Sequence, residues 1–505
     1  MDFQGIQLTS TPVLLAIVAG AGLVWYIISA VTAWHGLRQF QGPFLAKFSY
    51  LWLLTSGRSG RNCEILTDTH RKYGSLTRIG PYDLLTDDPE LIRNMSAARS
   101  SYKRSSWYMA NRLDLHHDSL FTTMDTVKHD KLKAKVMIGY SGKQNSDLEP
   151  GIDEQIVTLV QLLKAKYISK SGSLKPLDMA RLSQYLTLDI ITRIAFGKEF
   201  GYLKREEDIH DYIKITEGWA PTIRLCAEVP FMQKVFMSPF LMQYLGPKPT
   251  DPKGMGKLLG LAQEIVATRF GSKGEEQDDM LGGFVKQGLT ARQCENEVLF
   301  QIIAGSDTTA TSIRATMLYL MTSPHAYHRL RQEIDDAIAQ GRASNPITDE
   351  EGRSLPYLQA VIYEGLRIHP PFAGLLMKEV PAGGDTLEGR FVPAGTRIAH
   401  STWAALHNRR VFGEDADLFR PERWLGLEKA ERLDMERIVE LIFGYGRWGC
   451  AGKQIAFMEL NKVFFELLRD LDFQLINPLK PWTSINHQLF INHDMFVHVT
   501  ERKHS

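Results

Sequence analysis

Residues 3–37 contain no Asp, Glu, Lys or Arg. Within that stretch, Pro12 to Trp34 is a 23-residue, mostly apolar run. As an α-helix it spans about 34 Å at 1.5 Å per residue, longer than the roughly 30 Å hydrocarbon core of a bilayer. Asp2 precedes the run, and Arg38, Lys47, Arg58 and Arg61 follow it. The positive-inside rule then places everything after the run in the cytosol. A cleaved signal peptide is the rival reading, and small residues near Val31-Thr32-Ala33 would suit cleavage. A basic n-region is missing, however, and the run is too long, so a retained anchor is favoured. The expected layout is a lumenal residues 1–11, a membrane span over 12–34, a linker over 35–44 in which Gly42-Pro43 breaks the helix, and a body over 45–505.

The body is large enough for a sizeable core: the chain has 505 residues, 44% of them apolar and 23% charged. A net charge of +1 leaves no nucleic-acid footprint. The four cysteines, Cys63, Cys226, Cys294 and Cys450, are too few and too far apart for a disulfide framework. The fifteen histidines show no zinc-type spacing. Apolar recurrence at three or four residues predicts helices over Glu154–Lys166, Leu177–Gly197, Asp208–Ala220, Lys257–Phe270, Ala291–Thr322, Pro324–Gln340, Leu355–Ile368 and Cys450–Leu471. Short strands are expected at Leu76–Arg78, Asp83–Leu85, Phe391-Val392, Arg397–His400 and Met495–Val499. The fold class is therefore mainly α with a small β region. The Met- and Phe-rich segment from Phe231 to Met242 fits either internal packing or a half-exposed entrance that dips into lipid.

Cys450 sits in Phe443-Gly444-Tyr445-Gly446-Arg447-Trp448-Gly449-Cys450-Ala451-Gly452-Lys453, just ahead of a helical pattern. Glycine lets backbone turn tightly and approach a flat ligand closely. A thiol near a helix N-terminus faces free N–H groups and ionises more easily. A thiolate of this kind binds iron and, as a haem axial ligand, favours O–O cleavage. Near the middle of the longest helix, Thr308 is placed to hydrogen-bond back to the Ala304 carbonyl and disturb the ladder beside Gly305. With Asp307 it forms a hydroxyl–carboxylate pair suited to proton transfer. Glu364 and Arg367, at i and i+3, share one helix face.

The Cys450 segment resembles the haem-binding loop of the cytochrome P-450 monooxygenases, matching at Phe443, Gly446, Cys450 and Gly452. Three further motifs agree in order: Ala304-Gly305-Ser306-Asp307-Thr308-Thr309, Glu364-Gly365-Leu366-Arg367, and Phe419-Arg420-Pro421-Glu422-Arg423-Trp424, where Trp424 stands for the usual Phe. The resemblance runs from about Gly42 to the C-terminus. It implies a cytochrome P-450 fold behind one N-terminal transmembrane helix. Cys450 would be the iron ligand of heme b, Asp307 and Thr308 the proton relay, and Glu364, Arg367 and Arg423 a structural triad that keeps the Cys450 loop in register.

His129, Lys133, Lys378 and Arg447 would serve the haem propionates. The family's arginine two residues before the cysteine is Trp448 here, and lysines stand at two other usual arginine positions. Two readings stay open: haem held more loosely, or Arg447 compensating. Substrate contacts are expected from Trp107, Leu115, Phe121, Phe300, Ala304, Phe372, Leu375, Leu376 and Leu489, an apolar pocket for a hydrophobic small molecule. Electrons would come from NADPH through a separate NADPH-cytochrome P-450 reductase, with cytochrome b5 as a second candidate donor. The setting implied is the endoplasmic reticulum membrane and fungal secondary metabolite biosynthesis. An oxygen-independent haem-thiolate isomerase or dehydratase, and a non-catalytic haem-binding sensor, are the alternatives.

Overall fold

A 31-residue helix, Ala291–Met321, forms the axis of the body. It starts cleanly because Thr290 and Gln293 make a reciprocal capping box. Most of its circumference is buried, as expected of a helix at the centre of a large core rather than at its surface. The computed structural model describes residues 5–112, 114, 117–142, 145, 147–270 and 277–502, with side chains from Val13 onward.

The principal partner of this central helix is Met179–Phe196, which is also buried on nearly every face. The two backbones approach closely at Gly305, where a Cβ would lie 2.9 Å from the Ile191 side chain. Pro324–Ala339, Pro356–Ile368 and Lys453–Asp470 pack around the other end. A five-stranded sheet stands at one side in the order Leu76–Gly80, Asp83–Thr86, Arg397–His400, Lys378–Glu379, Lys103–Arg104. The hairpin Thr483–His487/Leu489–His493 closes over the central helix.

The expected helices are present, with shifted ends. Met179–Phe196 begins two residues late because Leu177 and Asp178 pair with Val497 and Phe496 as a strand, and the Asp178 carboxylate caps the helix. The helix expected over Asp208–Ala220 runs instead from Tyr212 to Glu228, straight through Pro221. The bond lost at proline is offset by burial of Arg224, Cys226, Ala227 and Glu228 beyond it. Leu148–Leu162 starts earlier than expected and ends in a π-helical turn, Leu163–Tyr167.

The N-terminal helix is Gly5–Gly36, and its Val13–Gly36 part, mean hydropathy 2.3, is long and apolar enough to cross a membrane. It stops at Gly36, before Gly42-Pro43, and the expected linker is not loose: Leu37 and Phe40 are buried against the sheet. Arg78, fully buried, donates to the carbonyls of Ala33, Lys47 and Pro81 at 2.8–3.0 Å, and at 3.4 Å to that of Trp34. A strand residue thus donates to carbonyls in the last turn of the apolar helix, that of Ala33 also accepting the Leu37 N–H. The Met- and Phe-rich segment forms two short helices, Pro230–Phe236 and Pro239–Leu245, whose Phe231, Phe240, Tyr244 and Leu245 are exposed. Internal packing is excluded as its role.

Candidate active site

The Cys450 loop is folded by its own backbone. The Cys450 N–H donates to the Phe443 carbonyl, and Trp448 and Gly449 close tight turns onto Tyr445 and Gly446. Gly446 has φ +58°, and a Cβ there would come within 2.5 Å of the Ser96 carbonyl. Only glycine fits. Phe443 packs edge to face-tilted on Phe457, 5.5 Å between centroids. Gly452 precedes the Lys453–Asp470 helix, so Cys450 lies just ahead of that helix and not within it.

Cys63, Cys226 and Cys294 are buried free thiols, whereas Cys450 has exposed surface. Yet the Cys450 thiol lies deep enough that burial is the largest influence on its pKa. Burial pushes the thiol upward, while the N–H groups of Gly452 and Lys453 and the charges of Lys133 and Lys453 pull it down. The net direction is upward, so the helix terminus does not ionise this sulfur unaided. A coordinated metal cation would.

The polar groups around Trp448 complete the picture. Arg104 and Lys378 are directly opposed across two antiparallel strands. The Arg104 guanidinium lies 4.2 Å, and the Lys378 ammonium 4.4 Å, from the Trp448 ring centroid. His129 packs on the same indole at 4.4 Å. Arg104 and Lys378 are buried, and neither has a carboxylate within ion-pair distance among the described residues. Lys378 Nζ, Arg104 Nε, Trp448 Nε1 and Arg447 Nε are buried without a hydrogen-bond partner among the described residues. Burial lowers the Lys378 pKa far below its usual value, with Arg104 and Arg447 adding to the fall. Burial, then Arg104, brings His129 down to about 4. Like charges opposed on a sheet are destabilising; a buried group of them fits an anionic ligand.

Lys133 is engaged with the loop backbone. Its ammonium donates to the carbonyls of Arg447 and Gly449 at 2.8 Å each, and so fastens the Cys450 loop. Arg447 reaches the Ala98 carbonyl and Asp130. Arg104 also places a guanidinium beside Trp448. Only strand register reveals it, since Lys103-Arg104 carries no motif.

Glu364 and Arg367 are wholly buried and paired through two hydrogen bonds of 2.8 Å. Arg423 Nε and the Arg420 N–H donate to Glu364 Oε1, and Trp424 Nε1 donates to Oε2 at 3.0 Å. Arg367 spends its remaining donors on the carbonyls of Leu406, Ala416 and Leu418. The cluster thereby pins the chain that leads into the Cys450 loop. Trp424 adds a donor that a phenylalanine cannot.

On the central helix, Thr308 Oγ1 donates to the Ala304 carbonyl at 2.8 Å. The helix is continuous across Ala304–Thr309. Asp307 is buried, and Gln184 Nε2 donates to its Oδ1 at 2.6 Å. Burial raises its pKa from 3.8 to about 6 against the opposing charge of Arg314. Tyr212 completes the enclosure, its hydroxyl 3.2 Å from Ser306 Oγ.

Phe372 and Leu489 line a cavity of about 90 Å³ together with Ile303, Trp219 and Asp307. Phe121 stacks on Phe300, 5.2 Å between centroids, and Ala304 lies one turn along the same helix. Leu376, at φ +41°, is half-buried. Trp107 and Leu375 are buried in a core cluster, so packing, not substrate contact, accounts for them. Leu115 lies outside the described residues. The cavity is also less apolar than expected: Asn111, Gln184, Glu217, Arg314, Gln488 and Asn492 share its wall.

Comparison with known proteins agrees with this geometry. Residues 41–496 match the family model described as Cytochrome P450. The chain is 48% identical over 487 residues to "Cytochrome P450 monooxygenase ABA1" of Pyricularia oryzae, covering 95% of each chain. It is 46% identical over 471 residues to "Cytochrome P450 monooxygenase aba1" of Botryotinia fuckeliana, covering 92% of each. "Pisatin demethylase" of Fusarium vanettenii is 30% identical over 471 residues, which is 92% of this chain and 88% of that one.

Proposed function

This chain belongs to the cytochrome P450 family, and from that premise we propose which residues run its chemistry and on what kind of molecule. It is a haem-dependent monooxygenase, and haem supplies the activation of O2. In our reading Cys450 would hold the haem iron through its sulfur. The observation that carries this is an exposed cysteine at the end of a loop whose glycine admits no side chain.

Arg104, Lys378 and Trp448 Nε1 would hold the propionates, with His129 orienting the indole and Lys133 fastening the loop. Asp307, whose pKa burial raises to about 6, would hold and release a proton at Oδ, and Thr308 Oγ1 would pass it on. Ile303, Phe372 and Leu489 shape an apolar wall for a small organic substrate.

The fungal relatives support a role in specialised metabolism, and the name "monooxygenase" carried by the nearer of them supports insertion of one oxygen atom. Electrons would come from an NADPH-dependent reductase in the same membrane, with cytochrome b5 as an auxiliary donor. The apolar Val13–Gly36 helix supports anchoring in the endoplasmic reticulum with the body on the cytosolic face.

Turnover under labelled O2 with a fungal reductase tests the reading. A compound that shifts the ferric haem spectrum should gain one labelled atom while NADPH is consumed. Product formation without NADPH or oxygen would overturn it.

A further inference from the structure

The cavity beside Asp307 is lined by an unusual set of polar atoms. Asn111 Nδ2, Arg314 Nε, His487 Nδ1, Gln488 Nε2 and Asn492 Oδ1 are all buried without a hydrogen-bond partner among the described residues, and all five residues line this one space. Unpaired buried polar atoms are costly, and a roomy polar cavity satisfies them with water.

Asp307 lies on the inner wall and Glu217 on the same lining. Glu217 is one-quarter exposed, and groups on two other elements hold it: Arg181 at 3.6 Å and His493 at 3.7 Å. Arg181 and His493 are themselves 3.4 Å apart and partly exposed. Three elements, the Met179–Phe196 helix, the Tyr212–Glu228 helix and the Leu489–His493 strand, therefore converge on one carboxylate at the solvent side of a polar space. A buried acid forms its inner end.

We propose that this cavity carries protons from bulk water to Asp307, with Glu217 as its outer carboxylate and Arg181 and His493 as the positioning residues that hold Glu217 at the mouth. The inference rests on the reading of Asp307 as the inner proton donor. Monooxygenation consumes two electrons, supplied by the reductase, and two protons for each O2, one oxygen leaving as water. Along this route each step breaks one O–H bond and forms another: Glu217 gives its proton to cavity water, that water protonates Asp307, and bulk water restores Glu217. The charged groups facing Glu217 are Arg181, His493 and, across the cavity, Arg314 and Asp307. Glu217 is the only one of these that is both a carboxylate and open to solvent.

Full-length, haem-loaded protein in nanodiscs with a fungal NADPH-dependent reductase provides the test, using 7-ethoxycoumarin as probe. NADPH oxidation and peroxide release are followed in H2O and D2O between about pH 6 and 8. Glu217→Gln should keep the reduced CO spectrum, slow NADPH oxidation about tenfold and enlarge the solvent isotope effect. Glu217→Asp should restore both, and Asp307→Asn should reproduce the Glu217→Gln defect.

A wild-type rate and isotope effect in Glu217→Gln, beside a defective Asp307→Asn, would place the proton route elsewhere and overturn the proposal. Wild-type behaviour in both variants would remove the relay reading of Asp307, and this inference with it.

Discussion

Arg104 and Lys378 face each other across a two-residue antiparallel pairing, both buried, with Trp448 against both cations. Two opposed buried cations are tolerable when an anion lies between them and costly when it does not. Lys378→Met should therefore move haem-free and haem-loaded protein in opposite directions. The apoprotein should gain about 1–4 kcal/mol in urea unfolding, while haem transfer to apomyoglobin from the loaded variant quickens about tenfold. Equal effects on both forms would contradict an anion site.

Glu364 accepts from Arg367, Arg423, the Arg420 backbone and Trp424 without any exposure to water. Glu364→Gln leaves Arg367 without a charge partner and Arg423 with Asp415 alone. It should cost about 3–5 kcal/mol and leave little haem in the purified protein. Trp424→Phe removes one hydrogen bond to the carboxylate and should cost about 1.5–3 kcal/mol with haem content retained. Urea unfolding and haem-to-protein ratio measure both.

Asp307 has a folded pKa of about 6 against an ordinary 3.8, because it is buried. The folded state thus holds this proton more tightly than the unfolded chain does. The resulting cost to stability is absent below about pH 4, grows as pH rises through 6 and is complete above it. Asp307→Asn keeps an acceptor for Gln184 and removes that cost. The variant should unfold about 2–3 kcal/mol harder than wild type at pH 8, and alike near pH 4. A constant difference across that range would contradict a raised pKa.

The features legible in the sequence were those carried by short spacing along one chain segment. Phe443 to Gly452 is one loop, Glu364 and Arg367 are one helical turn apart, and Thr308 reaches back one turn to Ala304. What escaped were partners brought from afar by register or packing. Arg104 meets Trp448 because a strand pairs with Lys378, and Gln184 meets Asp307 because two helices close over Gly305. Neither neighbour leaves a local pattern. The Tyr212–Glu228 helix runs past the expected end at Ala220 and through Pro221, a local stop signal that tertiary burial overrides.

Arg78 makes the junction between apolar helix and body a fixed one, donating to Ala33, Lys47 and Pro81 from a buried site. Arg78→Ala should leave the protein in the membrane fraction, since the apolar helix is untouched. It should nevertheless expose residues 36–43 to limited proteolysis, with cleavage about tenfold faster than wild type as local opening becomes easier. Unchanged cleavage would show that Leu37 and Phe40 hold the joint without Arg78.

The account rests on sulfur at position 450, and the absorption spectrum of the reduced, CO-treated protein tests it most directly. Wild type should show the long-wavelength band of a thiolate-ligated haem, and Cys450→His should bind haem but show only the shorter-wavelength band of an imidazole ligand. A thiolate-type band that survives in Cys450→His, or one absent from haem-loaded wild type, would contradict it.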